Sequence, residues 1–113
     1  MAEWIDALAA DALPSGDRWL VRGGGREIAL FNVDGRVCAI DDSCPRNGAS
    51  LATGQLDGTM TVVCRACSVR FDLGSGRMRG GTLRVRTYPV RVLHGRIEID
   101  VVPEYGAAAG TLL

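Results

Sequence analysis

Four cysteines and one histidine are the side chains of this 113-residue sequence best suited to metal or redox chemistry. Cys44 stands in Asp42-Ser43-Cys44-Pro45-Arg46-Asn47-Gly48, and Cys64 and Cys67 form the pair Cys64-Arg65-Ala66-Cys67. Thiols at such spacings bind soft metals, close disulfides or exchange electrons as a dithiol. A thioredoxin-type pair needs a helix directly after it to depress the thiol pKa. Here Ser68-Val69-Arg70-Phe71-Asp72 runs instead into a Gly74-Ser75-Gly76 turn. A four-cysteine zinc site usually needs two such pairs, and only one is present. Cys38, in Val37-Cys38-Ala39-Ile40, reads as a small buried hydrophobe on a strand. The single histidine, His94, excludes any site that requires two imidazoles.

The elements that must hold these residues are short strands. Arg18–Arg22, Glu27–Asn32, Arg36–Ile40, Thr59–Cys64, Thr87–Leu93 and Arg96–Val102 have strand character and are separated by turn residues. Asp34-Gly35 and His94-Gly95 lie between alternating apolar runs, the pattern of a two-residue hairpin. This places His94 in a solvated turn. With 15 glycines among 113 residues, the fold class is all-β, a small sandwich or barrel. The only helical candidate is Asp6–Leu13, stopped by Pro14-Ser15-Gly16 and too short to stand alone in water. The length predicts a single domain over residues 1–105, followed by a flexible tail at 106–113. The stretch Asp41–Gly58 has no periodicity, and a loop of that length inside a compact domain is usually functional.

The formal charge is zero, with 13 acids against 13 arginines and no lysine. It is unevenly spread: −4 over residues 1–60, +7 over residues 61–96 and −3 over the remainder. A basic stretch can steer an acidic partner. The plainer reading is that Arg84 and Arg86, alternating with Leu83 and Val85, form the solvated face of a strand. Few aromatics accompany the arginines, so nucleic acid is not an expected partner. No apolar run approaches the ~20 residues that cross a bilayer, and no charged-then-apolar leader opens the sequence. Cytoplasmic location, where thiols stay reduced, is the expectation.

Residues 36–76 carry a more specific pattern. Cys44-Pro45-Arg46-Asn47-Gly48-Ala49-Ser50-Leu51, then Cys64-Arg65-Ala66-Cys67-Ser68, then Phe71-Asp72, resemble the two ligand boxes of a Rieske [2Fe–2S] domain. That family carries Cys-x-His and Cys-x-x-His at a similar separation; here 17 residues lie between Arg46 and Cys64. Tyr88-Pro89-Val90-Arg91-Val92 and Gly95-Arg96-Ile97 are similar to the closing hairpin of Rieske ferredoxins. The resemblance covers roughly residues 3–102. It implies an antiparallel β-sandwich with a small inserted cluster-binding subdomain at about 42–73. It also implies that Cys44 and Cys64 bind the inner iron, with Arg46 and Cys67 standing where the two outer-iron histidines should be. Ser68 stands where the family usually has glycine, and Gly80-Gly81-Thr82 lacks the proline that commonly caps the cluster.

Cys67 is a competent replacement for an imidazole, whereas a guanidinium offers no lone pair. Asp41, Asp42 or Ser43 could then supply an oxygen to the open position on the outer iron. Three readings stand side by side. In the first, Cys44, Cys64 and Cys67 hold a [2Fe–2S] cluster of altered ligation in a small electron carrier. Such a carrier resembles the ferredoxin components that pass electrons from a flavin reductase to a terminal oxygenase, and is not itself a catalyst. In the second, the cluster is absent and the fold is an accessory subunit of a larger oxidoreductase, like the small subunit of nitrite reductases. In the third, the three thiolates bind one zinc or iron ion structurally. The second reading gains from Arg46, whose charge would be costly to bury beside a metal.

Overall fold

The computed structural model describes residues 2–102, and the proposed tail at 106–113 lies outside them. Ten strands form three antiparallel sheets. The first sheet joins β1 (Trp4–Ala9), β10 (Arg96–Asp100) and β9 (Val90–Leu93). The second joins β2 (Arg18–Gly23), β3 (Arg26–Val33), β4 (Arg36–Asp41) and β8 (Thr87–Tyr88) in that order. The third is small and joins β5 (Gln55–Leu56), β6 (Thr61–Val63) and β7 (Arg70–Asp72). No helix among the described residues is long and apolar enough to cross a membrane.

The second sheet is the middle layer, and β3 shows why. Side chains on a strand alternate between faces, and Ile28, Ala29, Leu30 and Phe31 are all fully buried. Ile28 and Leu30, with Ala39 of β4, pack against Leu8, Ile97 and Ile99 of the first sheet. Ala29 and Phe31, with Cys38 and Ile40, pack against Leu51, Val62, Cys64 and Phe71 beneath the cysteine loops. Each fully buried Phe or Leu contributes about 1.5–3 kcal/mol. The all-β fold is therefore two cores sharing one sheet, and the cysteines cap the second core.

Both anticipated hairpins form. Asp34 and Gly35 have φ of 53° and 89°, and His94 and Gly95 have 51° and 73°. A two-residue turn whose twist matches the strands requires this left-handed pair. His94 is exposed there, in the first sheet, away from the cysteines. Cys38 is 7% exposed on β4, and burial pushes its thiol above the ordinary value.

Two expectations are corrected. Asp6–Leu13 is not helical: Trp4–Ala9 is strand β1, with only Ala10–Ala12 in a 3₁₀ turn. Pairing with β10, from Trp4 opposite Asp100 to Ala9 opposite Arg96, supplies partners that a helix too short to stand alone cannot match. The Asp6 carboxylate accepts from Arg96 Nε and Nη2 at 2.9 and 2.6 Å. Arg84 and Arg86 are exposed on either side of buried Val85, as alternation predicts. Yet this segment is not a strand; it is tied by an isolated bridge to Arg77 and by single hydrogen bonds such as the Val85 amide to the Gly76 carbonyl at 2.9 Å.

Much of the basic stretch is answered locally. Arg70 lies 3.5 Å from Asp57, Arg79 3.4 Å from Asp72, Arg86 3.6 Å from Asp41 and Arg91 2.7 Å from Glu98. Its +7 charge is thus not one continuous docking face.

Candidate metal centre

Two loops at the end of the molecule carry the cysteines, each leaving a strand and returning by a tight turn. In the first, the Cys44 amide donates to the Ala49 carbonyl at 2.8 Å, and the Gly48 amide to the Cys44 carbonyl at 2.7 Å. In the second, the Cys64 amide donates to the Val69 carbonyl at 2.8 Å, and the Ser68 amide to the Cys64 carbonyl at 2.9 Å. Closing such a turn requires a left-handed residue in fifth place, with φ of 79° at Gly48 and 61° at Ser68. Serine tolerates that conformation at a cost of roughly 1–2 kcal/mol, part of which glycine would return in unfolded-state entropy. Ser68→Gly is therefore expected to raise stability by roughly 0.5–1 kcal/mol in urea denaturation. A loss instead would mean that the hydroxyl makes a compensating contact.

The first loop is anchored from below by Asp42, which is buried. Its Oδ1 accepts from the Ser50 hydroxyl and the Ala52 amide, both at 2.8 Å. Arg18 of β2 reaches under the same region, stacks on Phe31 at 5.6 Å and donates to the Ala52 and Gly54 carbonyls. Gly54 leaves no room for a side chain, because a Cβ there would lie 2.5 Å from the Val63 carbonyl oxygen. These contacts fix the first loop against the strand that leads into the second.

The result is convergence. The Sγ atoms of Cys44, Cys64 and Cys67 all lie within 4.8 Å of one another, and Cys44 Sγ is 3.9 Å from Cys67 Sγ. Cys44 and Cys64 are each 1% exposed, while Cys67 is partly open to solvent. Burial pushes the Cys44 thiol up, against the Arg46 and Asn47 amides that donate to its sulfur. Burial acts the same way on Cys64, but the Ala66 and Cys67 amides and the neighbouring thiols outweigh it and bring Cys64 below the ordinary thiol value.

The other residues considered at the site stand apart. Arg46 is exposed on the first loop, so its charge is not buried beside the sulfurs. The carboxylates of Asp41 and Asp42 are not part of the cluster, which contains no carboxylate among the described residues. Asp42 is committed to the loop anchor. Asp41 accepts from the Tyr88 hydroxyl and lies 3.6 Å from Arg86. Ser43 pairs with Ser50 in an isolated bridge.

A three-layer antiparallel fold presenting three converging thiols from two adjacent loops is the architecture of a Rieske-type domain. The chain belongs to the Rieske [2Fe-2S] domain family, which matches residues 3–91. The ferredoxin component of the naphthalene 1,2-dioxygenase system of Pseudomonas aeruginosa is 36% identical over 101 residues, spanning 88% of this chain and 96% of that protein. Among solved structures, the complex of reduced oxygenase and oxidized ferredoxin in carbazole 1,9a-dioxygenase superposes with a TM-score of 0.83 at 25% identity, covering 89% of this chain and 95% of that one. A chain described as the NADH-dependent nitrite reductase small subunit of Mycobacterium tuberculosis superposes with a TM-score of 0.82 at 30% identity, covering 90% and 97%. Ferredoxin components of this kind carry electrons and are not themselves catalysts.

The family implies a [2Fe–2S] cluster, and the donor chemistry here fits it in three positions. Thiolates bind the iron of such clusters well, and Cys44, Cys64 and Cys67 converge. The guanidinium of Arg46 cannot serve as a ligand.

Proposed function

We propose that this protein is a single-electron carrier whose [2Fe–2S] cluster is held by Cys44, Cys64 and Cys67 rather than by two cysteines and two histidines. The convergence of the three sulfurs within 4.8 Å carries this reading. When bound, the cluster supplies a one-electron couple. The chain's own residues shape it. Cys44 and Cys64 donate from the dry interior, Cys67 from the partly open side. The third thiolate adds negative charge where the family has a neutral imidazole, which lowers the potential toward the all-cysteine range. Arg46 and Arg65, exposed on the two loops, offset part of that charge and present a positive surface to an acidic partner.

Likeness to ferredoxin components supports a flavin reductase as donor and a terminal oxygenase as acceptor. The cysteine-bearing segment, about 42–73, acts on this reading as a cluster-binding subdomain within a single domain. A reducing cytoplasm would keep its thiols free for metal.

One observation favours a second reading. A tetrahedral ion with metal–sulfur bonds near 2.3 Å spaces its sulfurs about 3.8 Å apart, close to the 3.9 Å between Cys44 and Cys67. A single zinc ion would then be held structurally. Anaerobic purification followed by iron, sulfide and zinc analysis, with EPR after reduction, separates the readings. About two irons and two sulfides per chain are expected. Zinc without sulfide selects the second reading. A colourless, metal-free and folded protein overturns both and leaves a redox-silent docking subunit.

A further inference from the structure

The two loops are related residue by residue, and the relation identifies a donor that the ligand boxes do not predict. Cys44 corresponds to Cys64 and Gly48 to Ser68, through the same two backbone hydrogen bonds and the same left-handed fifth residue. In both loops the amides of the third and fourth residues point at the first cysteine's sulfur: Arg46 and Asn47 at Cys44, Ala66 and Cys67 at Cys64. Asn47 is therefore the counterpart of Cys67. The side chains follow the same relation crosswise. Cys67 Sγ, from the fourth place of the second loop, lies 3.9 Å from Cys44 Sγ. Asn47 Oδ1, from the fourth place of the first loop, lies 4.0 Å from Cys64 Sγ.

We propose that Asn47 Oδ1 is the fourth ligand of the metal centre, so that each loop contributes its first and fourth residues. In the family pattern the first loop uses its first and third residues, and here the third is Arg46, which cannot ligate. A carboxamide oxygen has two lone pairs. One accepts from the Ala49 amide at 3.0 Å, which orients the side chain, and the other is left for the metal. Asn47 is exposed as a residue, with its oxygen on the side of the Cys64 thiol. This proposal rests on the reading that the three cysteines hold a metal group.

The test is made on the full chain after anaerobic reconstitution with ferrous iron and sulfide. Asn47→Ala is expected to lose iron to a chelator about tenfold faster than the parent, or more. Asn47→Asp keeps the acceptor for the Ala49 amide and hence the turn, but supplies an anionic oxygen. It is expected to retain iron at least as long as the parent, with shifted EPR g values and a lower potential. A purely structural role for Asn47 would leave the Asn47→Asp g values at parental values, because the added charge by itself lowers only the potential. That result, or parental retention in Asn47→Ala, overturns the proposal. If the parent holds zinc in place of iron, the same comparison is read as zinc retention, with cobalt(II) spectra in place of EPR of the cluster. A parent that binds neither iron nor zinc removes the metal reading itself, and the proposal with it.

Discussion

Replacing Cys64 by alanine is expected to abolish metal binding, with iron and sulfide falling below about one-tenth of the parental content. Of the three thiols, Cys64 combines near-complete burial with a thiol held below its ordinary value by two amides. It is therefore the sulfur best prepared to bind as thiolate, and removing it leaves only two thiols, on opposite loops. The fold should survive. The core beneath the loops is built from Phe31, Ile40, Leu51, Val62 and Phe71, all fully buried, and losing one sulfur from it costs about 1–2 kcal/mol. Iron analysis together with circular dichroism checks both halves. Parental iron in Cys64→Ala would sink the ligand assignment. Unfolding would mean instead that the metal is needed to hold the loops.

The second large effect is expected from restoring the two histidines. In the double variant Arg46→His and Cys67→His, the potential should rise from near −400 mV toward −150 mV or above. Both positions have room for an imidazole, since Arg46 is exposed and Cys67 is partly open to solvent. Two imidazole ligands also bring proton-linked reduction. The parent is expected to have a potential that does not change between about pH 6 and pH 8, because no imidazole serves as ligand. The one histidine, His94, sits in the β9–β10 turn of a different sheet. Voltammetry of the two proteins over that range decides the matter. A parent that takes up a proton on reduction, or a double variant with the parental spectrum, would contradict the ligand set.

Local chemistry explains what could be read before the structure was known. Asp34-Gly35 and His94-Gly95 define hairpins because left-handed conformations are cheap for few residues, and the flanking runs alternate. Cys38 was recognisable as core because a lone cysteine within an apolar strand run is usually a small buried hydrophobe. The converse errors have one origin. Asp6–Leu13 has helix-forming residues, but its conformation is set by β10, some ninety residues away. β5 and β7 are two and three residues long and carry too little pattern to register. Arg84–Arg86 alternates in burial without a strand ladder, because single bonds to Gly76 and Asp41 suffice to hold it extended.

At the site, residue types alone determined that three thiols were available and that only one imidazole existed, while the family resemblance placed a guanidinium at a ligand position. The family boxes determined which loops would meet. Only the tertiary structure decided which side chains face the meeting point. It withdrew Asp41 and Asp42 into hydrogen bonds with Tyr88 and Ala52, turned Arg46 to solvent and set Asn47 beside Cys64. The physical reason is that ligand identity depends on distances of a few ångströms between loops twenty residues apart. Those distances follow from how both loops pack on the Phe31 and Phe71 core, and no short-range pattern encodes them.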